Sequence, residues 1–187
     1  MATPSLKEIV DQQPDINPTQ CSNEVDWELR KEAWIKQVET LIEKIIRIID
    51  PLKGSKLAYE KKLVPLDELY VGTYQALSLD LFMGKKYIRV MPQGTLIIGG
   101  LGRVDMDGPK GGVMFILPIS DKQLSTSINN SIGDPTYMTS EGVQRNNKLL
   151  TAEKVAKAEW HIVYSKINKT MTPFNEGSFT QALQSII

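Results

Sequence analysis

Residues 70–119, YVGTYQALSLDLFMGKKYIRVMPQGTLIIGGLGRVDMDGPKGGVMFILPI, are cut into short apolar runs by turns at near-regular intervals. Runs of this length bounded by Gly- and Pro-containing turns read as successive β-strands. Connections this short cannot carry a parallel crossover, so each strand is expected to pair antiparallel with the next. The segment 74–82 alternates, placing Leu77, Leu79 and Leu81 on one face and Ser78 and Asp80 on the other. Segments 87–91, 95–98, 103–106 and 113–117 continue the series, and 95–98 is the most apolar of them. Leu57, Tyr59 and Lys61 alternate with Ala58, Glu60 and Lys62 and predict a further strand, joined to the series by a connection at 65–71.

A different period precedes this region. Trp27, Trp34, Val38, Leu41, Ile45 and Ile48 recur at spacings of three, four and seven, with Ile42, Ile46 and Ile49 widening the stripe. That is the pattern of an amphipathic helix. Ser22 or Asn23 can cap it, Glu24, Asp26 and Glu28 suit the positive end of its dipole, and Pro51 stops it at Ile49 or Asp50. A helix over 22–50 is roughly 40 Å long, more than one sheet of short strands covers, so its first turns are expected to overhang. Lys31 interrupts the seam, and an autonomous coiled coil is not supported.

The remainder divides simply. Residues 1–21, with Pro14 and Pro18, read as a flexible arm, and 120–150, rich in Ser, Thr and Asn, as a mobile loop. A helical stretch begins near Thr151, and 160–166 alternates as a last strand, with Trp160, Ile162 and Tyr164 opposite His161, Val163 and Ser165. Asn175 can cap a final helix with Phe179, Ala182, Leu183 and Ile186 on its apolar face. The expected architecture is one α+β domain over 22–187. It comprises an antiparallel meander of about six strands, covered by a long N-terminal helix and a short C-terminal one.

The search for chemistry returns little. The glycine-rich segment 99–112 feeds a strand instead of a helix, and Lys110 precedes Gly111-Gly112, so neither a phosphate loop nor a dinucleotide fingerprint fits. Asp105, Asp107 and Lys110 suggest a metal-dependent hydrolase, but the following strand supplies no further acid. His161 is the only histidine and Cys21 the only cysteine, which excludes an intrachain disulfide and any histidine-rich or thiolate-rich metal site. No cofactor is expected. The chain holds 22 Lys plus Arg and 22 Asp plus Glu, without the basic excess of a typical DNA-binding protein. Within it, Lys61, Lys62, Lys85, Lys86 and Arg89, with Tyr87 interleaved, could form a modest nucleic-acid face. The N-terminus lacks the features of a secretory signal and no apolar run approaches a membrane span, so a cytoplasmic location is expected.

These features together point to a non-enzymatic protein-binding subunit. It would be an accessory, immunity or assembly component of a bacterial or phage-like complex, acting on a protein partner or by self-association through the N-terminal helix. Trp27, Trp34, Ile35 and Val38, on the overhanging turns, are the candidate interface. The nucleic-acid module and the hydrolase centred on Asp105 and Asp107 are the alternatives.

Overall fold

The computed structural model describes residues 26–54, 56–97, 100–118, 151–164 and 171–187. The expected arm at 1–21, with Cys21, the caps Ser22 and Asn23, and the loop at 120–150 lie outside these residues. Asp26 is the residue that caps the first helix, α1 (Trp27–Ile49), its carboxylate accepting from the Leu29 amide at 3.0 Å. A single 3-10 turn, Asp50–Leu52, takes up Pro51 and ends the helical run.

Among the described residues seven strands follow in one antiparallel meander in which each strand pairs with the next: β1 (Leu57–Glu68), β2 (Gly72–Met83), β3 (Lys86–Gly94), β4 (Gly100–Gly108), β5 (Gly111–Pro118), β6 (His161–Val163) and β7 (Met171–Pro173). Among the described residues two short helices, α2 (Ala152–Lys157) and α3 (Glu176–Ile186), accompany them. The α+β meander expected from the turn spacing is therefore present. The last strand is too short at three residues to leave a periodic signal.

Two segments depart from the sequence reading, each for an identifiable reason. Residues 65–68 extend β1 instead of forming a connection, and the full length of β1 pairs with β2, from Leu57 opposite Met83 to Glu68 opposite Gly72. Pro65 is compatible with this because β1 is an edge strand. Residues 95–97, expected as the most apolar strand, form a bend. The amides of Thr95 and Leu96 donate to the Glu68 carboxylate, both at 2.8 Å, in place of a neighbouring strand.

α1, α2 and α3 cover one face of the sheet. The core between them contains Trp34, Val38, Leu41, Ile42 and Ile45 of α1 with Leu79, Leu81, Ile88, Val104 and Phe115 of the strands, all fully buried. Pairing of β2 with β3 begins only at Leu79 opposite Val90, so the first half of β2 belongs to a two-stranded ribbon with β1. Such ribbons twist strongly. The twist changes which side chains face inward: Leu79 and Leu81 do so near the sheet, Tyr74 and Ala76 toward the ribbon's tip. This carries the tip across the first turns of α1, where Tyr70 stacks on Trp27 with ring centroids 5.6 Å apart.

α3 is held at both ends. Asn175 and Ser178 form a reciprocal capping box, with Ser178 N–H donating to Asn175 Oδ1 at 2.9 Å and Asn175 N–H to Ser178 Oγ at 2.9 Å. At its other end the Lys110 amide, in the β4–β5 turn, donates to the Ile186 carbonyl at 2.9 Å.

Candidate functional site

Of the four helix residues expected at an interface, Trp34 and Val38 are fully buried, whereas Trp27 and Ile35 are half-buried. The overhang that the helix length implied is absent at Trp34 and Val38, because β4 and α2 lie over that stretch. Gly102 of β4 receives the six-membered ring of Trp34, and Trp160 packs beside it at 5.9 Å. The Gln37 side chain donates to the carbonyls of Val155 and Ala156, both at 2.9 Å, which fixes α2 along the helix. Trp34 and Val38 are thus core residues in this conformation.

The same turns hold a polar cluster that periodicity could not reveal. Arg30 is fully buried and donates through Nη2 to the Thr95 carbonyl at 2.7 Å. Burial draws its guanidinium down to about 10, against the opposing pull of Glu68 and Tyr74. Burial also raises the Tyr74 phenol, and its hydrogen bond to Glu68 adds to the rise. Glu68 therefore receives the phenol and two backbone amides, and ties the ribbon to the bend at 95–97. Gly94, at φ +135°, leaves room for that carboxylate, since a Cβ there would lie 2.6 Å from Glu68 Oε2. The Glu68 contacts clamp the β1–β2 ribbon to the bend and Arg30 ties α1 to the same bend, so each of these contacts holds one part of the fold to another.

Beyond the clamp, the ribbon's tip is apolar and open to solvent. Leu69 and Tyr70 are 55% and 53% exposed, and Leu29 in the first turns of α1 is 52% exposed. Tyr70 has φ +70° at the third position of the turn closed by Val71 N–H to Glu68 C=O. That position favours Gly or Asn.

The open face of the sheet carries the residues of the alternative nucleic-acid surface, but not all of them. Register places Glu60, Asp80, Arg89 and Asp107 in one row across β1 to β4, and Phe82 beside Tyr87 in the next. Asp80 is nearly inaccessible and is held by Lys62 Nζ at 2.8 Å, Tyr87 Oη at 2.7 Å and Arg89 Nε at 3.3 Å. Burial disfavours its charge, yet these three donors outweigh burial and keep its carboxyl below the ordinary value. Lys61 points to the other side, at the strand edge, and Lys85 and Lys86 lie exposed at the β2–β3 turn. Phe82, absent from the sequence reading, completes the surface: its ring centroid is 5.5 Å from that of Tyr87, and both residues are 40% exposed.

Asp105 and Asp107 share this face without forming a metal site. The Asp105 carboxylate accepts from Arg103 Nε at 2.6 Å and Nη2 at 2.7 Å, a two-pronged ion pair. Asp107 leans over Gly112 at the β4–β5 turn. Among the described residues no group of three or more His, Cys, Asp or Glu converges as a metal-binding set. His161 Nδ1 lies 3.0 Å from the Glu159 carbonyl, an arrangement that requires its proton on that nitrogen. Among the described residues no helix is long and apolar enough to cross a membrane.

No protein-family profile, no curated protein and no solved structure matches this chain.

Proposed function

We propose that the chain is a non-enzymatic protein-binding subunit, and that the tip of the β1–β2 ribbon is its contact surface. The observation that carries this reading is Tyr70, exposed and held in a left-handed backbone conformation against Trp27. A non-glycine residue there costs on the order of 1 kcal/mol. Stacking of the rings recovers a comparable amount, about 0.5–1.5 kcal/mol, and holds the tyrosine in one orientation. An aromatic side chain fixed before binding loses little entropy when it docks, and tyrosine is enriched at the centres of interfaces. Leu69 beside it supplies apolar area next to that anchor. A formal net charge of zero leaves no long-range repulsion to oppose association.

The test pairs the solution mass of the purified chain, by light scattering, with capture of partners from its native host. The expected result is a stoichiometric protein partner, or a dimer, retained by the wild type and lost on Leu69→Asp and on Tyr70→Glu, with melting curves showing that both variants stay folded. Retention of the partner by both variants, or a lone monomer that captures nothing, overturns the proposal.

A further inference from the structure

The open face of the sheet holds an arrangement that the ribbon tip does not account for. Phe82 and Tyr87 stand side by side on β2 and β3, tilted by 38° and each substantially exposed. The Tyr87 hydroxyl is anchored to Asp80, and the Arg89 guanidinium lies 5.4 Å from the Tyr87 ring centre. The rings are therefore held in place before any ligand arrives. Lys62 and Arg89 flank them with side chains about half exposed, 47% and 51%. Lys85 and Lys86 occupy the adjoining turn, and Lys56 meets that turn through its carbonyl, which accepts from the Gly84 amide at 2.8 Å. The carboxylates nearby are Asp80, enclosed by its three donors, Glu60, paired with Lys62 at 3.0 Å, and Asp107, opposite Arg89 in register. Lys56, Lys85 and Lys86 are left to give the patch a positive excess.

We infer that this patch binds single-stranded nucleic acid, with a base stacked on Phe82 and its flanking phosphates on Lys85 and Lys86. Two features select this ligand. Exposed aromatic faces on an antiparallel sheet stack unpaired bases of any identity, which a closed duplex cannot offer. Cations bordering the rings match phosphates on either side of a stacked base, and Arg89 presents a second plane for a neighbouring base. An acidic peptide would satisfy the lysines but has no use for the rings.

The inference is independent of the ribbon tip. Fluorescence anisotropy of a labelled oligothymidylate, the RNA of the same length, a duplex and a polyglutamate peptide, at low and moderate salt, tests it. The expected result is binding of both single strands, weaker for the duplex and the peptide, that falls as salt rises with a log–log slope of roughly −1.4 if two phosphates are neutralised. Phe82→Ala should weaken binding by about fivefold or more. Lys85→Glu with Lys86→Glu should abolish the signal, and Tyr70→Glu should leave it unchanged. Melting curves check that each variant stays folded. No anisotropy change at low salt, equal affinity for polyglutamate, or loss with the lysine pair but full retention in Phe82→Ala each overturns the inference.

Discussion

Gly102→Ala isolates one packing contact on which the seating of α1 depends. A Cβ at this position would lie 2.1 Å from Trp34 Cζ3, 2.5 Å from Cε3 and 2.9 Å from Cη2. Carbon atoms pack at about 3.5–4.0 Å, so the indole must retreat by more than an ångström. Trp34 has no exposed surface and is backed by Trp160, so it has nowhere to go without displacing the helix. Overpacking of this kind costs about 1–3 kcal/mol, and the depth of the overlap puts Gly102 at the upper end. Alanine also restricts the unfolded chain, which returns about 0.4–1 kcal/mol. The net expectation is a loss of about 2 kcal/mol, or roughly 4–8 °C in melting temperature for a chain of this size. Urea unfolding followed by far-ultraviolet circular dichroism measures it. The colliding atoms belong to the six-membered ring of the indole, which phenylalanine cannot place there. In a Trp34→Phe background the same alanine should therefore be neutral or slightly stabilising. An alanine cost that is negligible in the wild type, or undiminished in the Trp34→Phe background, would refute the reasoning.

Other perturbations probe the polar contacts. Because the folded-state carboxyl of Asp80 titrates below its ordinary value of 3.8, its contribution is present above that pH and lost as pH falls through the folded value. Asp80→Asn should lower the melting temperature at neutral pH, and the gap from wild type should narrow below pH 3.8, as followed by melting curves across the acid range. Glu68→Ala removes the acceptor of the Thr95 and Leu96 amides and should cost about 3 kcal/mol in urea unfolding, with Glu68→Gln costing less. Asn175→Ala opens the capping box and should cost about 1 kcal/mol, while Asn175→Asp retains most of the stability, both read from the same curves.

The elements of the fold were largely legible because their signals are local. Turn residues and period-two alternation mark β2 to β5, and the spacing of three and four marks α1 as far as Pro51. Asn175 announces α3 by its own capping chemistry. The candidate surfaces were legible only in part. Lys85, Lys86, Tyr87 and Arg89 stand out in sequence, yet Phe82 reads as one more apolar residue before a turn until pairing sets it beside Tyr87. Trp34 and Val38 were candidates for an interface because an amphipathic stripe does not say which layer will cover it. The layer that does so includes α2 and β4, more than sixty residues further along the chain.

The sequence by itself determined α1, α3 and the order and antiparallel pairing of β1 to β5, since periodicity, caps and short turns act within a few residues; the far half of β1, the bend at 95–97 and β7 left no such local signal. Tertiary structure alone decided the fate of individual side chains. Arg30 is a charged residue in an amphipathic helix, and only the fold buries it against Thr95. Gly102 reads as turn freedom, and only the packing makes it the seat of Trp34. Asp80 reads as a solvent-face charge until Lys62, Tyr87 and Arg89 close around it from two neighbouring strands. In each case the energy lies in a partner on another element, from the next strand for Asp80 to more than sixty residues away for Arg30 and Gly102, and no local pattern encodes how that partner will be placed.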